Sequence, residues 1–348
     1  MKTLLLTALL VVVPFHAIAQ KQTAEESVFR RAIPVRQDEP EYPSQALRRS
    51  QEGWVVVSFI IDTQGKVRSP IVVDSNGLRD FERAALAAVR KFRYEPATLN
   101  GRPVEQSQTR NKIVFQLTGV EEQGARGKFV RWYRKILKQF KEGDLELAKR
   151  RIDNLHRTPT WNLYEDAWLW WLDSQYQAMV GNDRAQLKAL LRAVAYEGVY
   201  LPEDLYLVAL KRLYFIQSRF VHVADALKTF DHITSAENSE EVVAELEEHA
   251  DRLRRIAMGD EILTVEGTVP AIGFWQHTML RRTFQFDNLN GEFRDMEIRC
   301  EAGVGRFNID LNRSLTIPDS WGDCRLYVFG SEGSQFQLME LPEHMPGG

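Results

Sequence analysis

After its first twenty residues this chain has no apolar run long and uncharged enough to cross a bilayer, which takes about 20 residues. Charge of one sign is also missing. With 45 Lys+Arg against 48 Asp+Glu the net charge is -3, which gives no electrostatic reason to expect nucleic acid as a partner. Catalytic signatures are absent too. There is no His-Glu-x-x-His, no glycine-flanked nucleophilic serine and no phosphate-cradling glycine loop. The seven histidines are scattered, and His222 and His232 lie too far apart for an i, i+4 metal pair. Gly303-Val304-Gly305 reads as a turn between strands, because no helix pattern follows it. The expectation is therefore a protein that is not an enzyme and holds neither cofactor nor metal. Cysteine is nearly absent. Cys300 and Cys324 are the two present, and in an exported chain a disulfide between them is preferred over two buried thiols. It would close a loop of about 25 residues and contribute about 3 kcal/mol in the chain-entropy picture.

What is present begins with an export signal. Lys2 supplies a positive start, residues 4–13 an apolar core, and Ala17-Ile18-Ala19 a small-residue site before Gln20. An apolar core of about ten residues fits a cleaved signal over 1–19 better than a membrane span. A retained anchor is the competing reading. Residues 20–38 are polar and lack a repeating pattern, so they are expected to form a flexible leader.

Residues 39–120 change character. Tyr42-Pro43 is followed by a strand placing Val55, Val57, Phe59 and Ile61 on one face. The turn Asp62-Thr63-Gln64-Gly65 leads to a second strand at Ile71-Val72-Val73-Asp74. An amphipathic helix then aligns Phe81, Ala84, Ala85, Ala88, Val89 and Phe92 in one stripe. Pro96 and Asn100-Gly101 stop the helical pattern before a closing strand of Lys112, Ile113, Val114, Phe115, Gln116 and Leu117.

The Tyr-Pro, Asp-x-x-Gly, Phe-x-x-Ala-Ala and Asn-Gly-x-Pro-Val signals in this order resemble the C-terminal domain of the TonB energy-transducer family. The resemblance implies a small α+β domain, a sheet with one helix on its back, that receives an extended segment of an outer-membrane transporter as an added strand. It implies a periplasmic location, and it points to Tyr42, Pro43 and residues Lys112, Ile113, Val114, Phe115, Gln116 and Leu117 as partner-binding positions. Ile113, Phe115 and Leu117 would face the helix, and Lys112, Val114 and Gln116 the other side. For Tyr42-Pro43 a rigid turn packed on the sheet is the alternative. Glu39 stands where many members have glutamine. Members also carry a transmembrane helix and a proline-rich spacer ahead of the domain, whereas here a signal and a short leader are expected. The leading expectation is thus a soluble periplasmic adaptor supporting TonB-dependent transport. An inner-membrane-anchored transducer meeting motor components is the alternative if the signal is kept.

Over 126–257 the period becomes helical, broken at Gly143-Asp144, at Gly181-Asn182 and at residues 218–220. This spacing is similar to degenerate tetratricopeptide-like hairpins, which stack into surfaces that hold other proteins. A plain spacer bundle is the alternative. Leu187, Leu190, Leu191 and Val194 form the expected apolar stripe of one helix, while Trp168 and Trp171 share a face with Tyr164 and read as core. Trp161 belongs to the same cluster, and Trp170 points elsewhere. Arg131, Lys135 and Lys138 line one face of the first helix, by default a solvated surface. Residues 259–348 are glycine-punctuated and alternate, with strands expected at 262–269, 283–287, 297–302, 306–311, 325–330 and 336–341. The fold class is multidomain α+β: a small antiparallel sheet with one helix, an all-α repeat region, and a C-terminal antiparallel β-sandwich or barrel. An envelope scaffold or assembly factor using the repeats is the second functional reading, and a sugar-binding β region the third.

Overall fold

The structure, a computed structural model, describes residues 28–117, 124–158, 162–311 and 313–342. The signal at 1–19 and Trp161 lie outside the described residues. The first unit runs β1 (Phe29–Arg30), β2 (Ile33–Arg36), α1 (Ser44–Arg48), β3 (Gly53–Ile61), β4 (Val67–Ser75), α2 (Arg79–Val89), β5 (Arg93–Glu95), β6 (Thr98–Leu99), β7 (Arg102–Pro103) and β8 (Gln106–Phe115). Its main sheet is antiparallel in the order β4–β3–β8.

The second half of the expected leader is ordered. β1 pairs with β6 and β2 with β5, while Asn100 Oδ1 accepts the Val28 N–H at 2.9 Å. A polar segment shows no hydrophobic period, yet a neighbouring strand can still satisfy its backbone. α2 lies on β3 as the stripe requires, with Phe81, Ala85, Ala88 and Val89 packed on Val55, Val57, Phe59 and Ile61. Phe81 stacks on Phe115 of β8 at 4.4 Å. The turn after β3 depends on Gly65, at φ +74°, because a Cβ there would sit 1.7 Å from the Tyr94 carbonyl oxygen.

The middle region is α3 (Gly127–Glu142), α4 (Leu145–His156), α5 (Leu163–Met179), α6 (Asp183–Ala193), α7 (Glu203–Arg219), α8 (Val223–Thr234) and α9 (Glu240–Met258). Side chains at the breaks help to start the second helix of a hairpin. Asp144 accepts the Leu147 N–H and Asn182 the Ala185 N–H. Of the stripe expected on α6, Leu190 is buried, but Leu191 is exposed on the flank towards the β region.

The last region holds β9 (Leu263–Thr268), β10 (Phe274–Thr278), β11 (Thr283–Asn290), β12 (Phe293–Cys300), β13 (Gly303–Phe307), β14 (Leu315–Thr316), β15 (Cys324–Gly330) and β16 (Gln335–Leu341). They form two antiparallel sheets, β10–β15–β12–β13 and β14–β11–β16–β9, which share a core including Phe284, Phe286, Phe336, Met296, Ile298 and Leu326. These are two separate sheets and not one closed barrel. β10 was not expected from the sequence, and the strand expected at 306–311 sits at β13 instead. The Cys300–Cys324 disulfide joins β12 to β15, where the two residues are cross-strand partners.

The back of the first sheet faces protein. Opposite α2, Trp54 packs with Leu163, Ala167 and Tyr196 of the helical region, and Val73 with Phe274, Tyr327 and Phe329 of the β region. Arg299, 1% exposed, reaches from β12 to Ser58 Oγ at 3.0 Å and to the Ser69 carbonyl at 3.2 Å. At the far side Arg281 donates to the Ile256 and Gly259 carbonyls, at 2.9 and 2.8 Å, closing the last turn of α9 onto the β region.

Candidate functional site

With both faces of the first sheet covered, its rims are what remains. β4 is blunted as a rim. Pro70 has no N–H to offer, Ser69 is in the left-handed region at φ 46°, and pairing with β3 shifts register twice. β8 is ten residues long, without proline, and pairs only with β3 among the described residues. Its first half is taken. Ser107 Oγ donates to the Gly303 carbonyl and accepts the Cys300 N–H at 2.8 Å, and Arg110 Nη2 donates to Gln276 Oε1 at 3.0 Å. From Asn111 onward no strand of the described residues lies along its outer side.

β8 differs from the closing strand expected at 112–117. It starts six residues earlier, under the polar run Gln106-Ser107-Gln108-Thr109-Arg110-Asn111, and ends at Phe115. Those residues alternate poorly because Ser107 is buried against the β region and Arg110, though exposed, reaches Gln276 of the same region. Ile113 and Phe115 face α2 and are buried. Val114 is 47% exposed. Lys112 leans the other way, its Nζ donating to the Ala195 carbonyl and lying 4.9 Å from the Tyr196 ring centroid. Burial lowers the Lys112 pKa, with Glu197 and Asp74 opposing. Gln116 and Leu117 lie past the strand, and the Leu117 N–H donates to Glu52 Oε1 at 3.0 Å.

Tyr42 stands edge-on to Phe81 and Phe115, with centroids at 5.5 and 5.8 Å, and its hydroxyl donates to the Gln51 carbonyl. Burial, then Glu52, pushes that hydroxyl up to about 12. Pro43 precedes α1 in an extended conformation and opens its first turn. The structure thus brings Tyr42 against the end of β8 through Phe115, as a packed wedge. Both residues also border a cleft with Glu39, Asp80, Arg83 and Lys91.

The chain matches the family described as Gram-negative bacterial TonB protein C-terminal over residues 38–117. Residues 38–117 are a TonB C-terminal domain. Protein TonB of Xanthomonas campestris pv. campestris is 37% identical over 62 residues, 18% of this chain and 28% of that protein. Protein TonB of Pseudomonas aeruginosa is 36% identical over 77 residues, 22% of each. The solution NMR structure of the Pseudomonas aeruginosa TonB CTD is 29% identical, covers 26% of this chain and 91% of that one, and has a TM-score of 0.23. The chain spans less than a third of the length of these curated relatives.

Around the TonB domain, sequence reasoning missed the residues that fasten it. Glu52, 4% exposed, uses both carboxylate oxygens, since Oε2 accepts the Leu163 N–H at 3.3 Å. Arg192 of α6 pairs with Asp74 at 2.5 Å and lies 5.1 Å from the Trp170 ring. Trp170 is half-buried in that interface and Trp171 is in the helical core. The missed signal was the nearly unbroken apolar run of β3, the mark of a strand buried on both faces. His222 precedes α8, with its ring 5.5 Å from that of His277 in β10. Burial, then His277, lowers its pKa to about 4. No helix among the described residues is long and apolar enough to cross a membrane.

Proposed function

We propose that this protein is a TonB-related envelope adaptor whose TonB domain takes up an extended segment of an outer-membrane transporter along the outer side of β8. The observation that carries the reading is that rim. Both faces of the sheet are packed, the β4 rim is blunted, and the stretch from Asn111 to Phe115 keeps one side of its backbone without a partner strand among the described residues. An unpaired rim is a template for another strand, with backbone hydrogen bonds giving affinity and alternating side chains giving choice. The likeness to proteins named TonB supports a transporter as the owner of that strand.

In this reading Val114 and Gln116 contact the incoming side chains. Lys112 holds the helical region in place, and Tyr42 with Pro43 braces Phe115 from behind. The role is binding, without catalysis. The helical hairpins, tetratricopeptide-like in order, would dock a further envelope component. The test is hydrogen exchange on the full chain with peptides from the N-terminal segments of TonB-dependent transporters. Slowed exchange confined to residues 111–117 is the expected result. Unchanged exchange there, with protection in the helical hairpins instead, would replace this reading with that of an envelope scaffold.

A further inference from the structure

We propose that the helical region carries a second docking groove, continuous with the open end of β8, for apolar or aromatic residues flanking the strand that β8 accepts. The proposal rests on the strand-accepting reading of β8 and says what kind of segment that reading requires.

The path can be followed residue by residue. Past Phe115 the chain meets a cleft bordered by Gln116, Asn162, Tyr164, Val199 and Tyr200. Glu52 also borders it, but its carboxylate is committed to the Leu117 and Leu163 N–H groups, and Asn162 is bonded to the Glu165 N–H and the Gly124 carbonyl, so the apolar part of the wall is Tyr164, Val199 and Tyr200. Val199 is 72% exposed, a large apolar side chain on the same cleft as Gln116, just past a strand that has no outer partner strand among the described residues. Tyr164 also borders a second groove, formed between α3 and α5 by Phe129, Val130, Tyr133, Leu137 and Trp168. Arg134 is the charged residue on its lining.

The aromatic rings form an unbroken series between the two. Tyr196, beside Lys112, is 5.1 Å from Tyr200, and Tyr200 is 6.3 Å from Tyr164. Tyr164 is 6.0 Å from Trp168, and Trp168 is 5.7 Å from Tyr133. An apolar track that begins where a strand rim ends suits one occupant, the same extended segment carried past the paired residues. Its chemistry follows from the walls. It has β-branched or aromatic residues beside Val199 and in the α3–α5 groove, and an acidic residue near Arg134. The TonB domain alone would read a short strand, whereas the TonB domain with α3 and α5 reads a longer, apolar-flanked one.

The experiment places a photo-crosslinking amino acid at Val114, Val199 or Val130 in the full-length protein in cells, and maps the joined residues by mass spectrometry. The expected result is a single foreign segment, joined from the three positions in the order 114, 199, 130. A synthetic peptide of that segment should then bind about tenfold more tightly than a version lacking the groove-side residues, the change that one buried apolar side chain makes. The Arg134→Glu variant should weaken the long peptide and leave the short one unchanged. Joining from Val114 alone, or equal binding of the two peptides, would overturn the second groove and leave the β8 reading intact. Joining from Val199 and Val130 without Val114 would overturn both. Cross-links from Val199 or Val130 into residues 118–123 of the same chain would show the groove filled from within and end the proposal.

Discussion

Replacing Arg299 with methionine should loosen the TonB domain from the β region while leaving the β12 pairing intact. The guanidinium makes three contacts that methionine cannot replace: Glu297 Oε1 at 3.0 Å, Ser58 Oγ at 3.0 Å and the Ser69 carbonyl at 3.2 Å. Arg299 and Glu297 are 1% and 2% exposed, so water does not make up the loss. Removing one partner of a buried pair costs about 3–5 kcal/mol, mostly from the charge left behind. Here Glu297 keeps Arg306 at 3.0 Å, and Ser58 keeps the Tyr327 hydroxyl at 3.3 Å, which places the cost near the lower end, about 3 kcal/mol. That corresponds to roughly a hundredfold shift in the local opening equilibrium. The assay is native-state hydrogen exchange of β3 around Ser58, which reports opening of this interface without requiring the whole chain to unfold in one step. The double variant Glu297→Gln, Arg299→Met removes the stranded carboxylate charge and should recover part of the protection. If exchange at β3 were the same in Arg299→Met and the parent, the buried bridge would not be what seals the back of the TonB sheet.

Val114→Asp, at a half-exposed rim position, should change the melting temperature little and abolish protection of β8 by transporter peptides; retained protection would place the partner elsewhere. Acid should weaken the fold through His222. Its pKa in the folded chain is about 4 against an ordinary 6.5, so the folded state disfavours the charged ring. The stability this represents is complete above pH 6.5 and is lost as pH falls towards 4, by about 3 kcal/mol. His222→Gln should flatten the pH dependence of thermal melting between 6.5 and 4, and an unchanged slope would refute the assignment. Replacing both Cys300 and Cys324 by serine should cost about 3 kcal/mol for the loop of 24 residues, read by denaturant unfolding under oxidising conditions. Equal stability of parent and variant would show that β12 and β15 hold that edge without the bridge.

The turn at Gly65, the α2 stripe and the inward set Val55, Val57, Phe59 and Ile61 were legible because each is a local rule. A glycine is needed where φ is positive, a 3.6-residue period gives a helix face, and a two-residue period gives a strand face. The cross-strand position of Cys300 and Cys324 agrees with the pairing expected from their compartment. The limits of β8 were not legible. Its first half is polar, and it is a strand because β3 pairs with it and because Ser107 and Arg110 find partners in the β region. β2 was hidden in the same way, as its pairing partner is some 60 residues further along the chain.

The sequence by itself determined the TonB domain, since its turns, stripe and alternation act over a few residues and carry their own instructions. The tertiary structure alone decided which parts of that domain are covered by the helical and β regions. Trp54, Ser58 and Arg299 read as an apolar, a polar and a charged residue with no stated destination, and only the packing of three regions makes them one sealed face. The end of β8, which has no outer partner strand among the described residues, lies beside Val199 and Tyr164 through contacts between residues far apart in the chain, which no local period encodes.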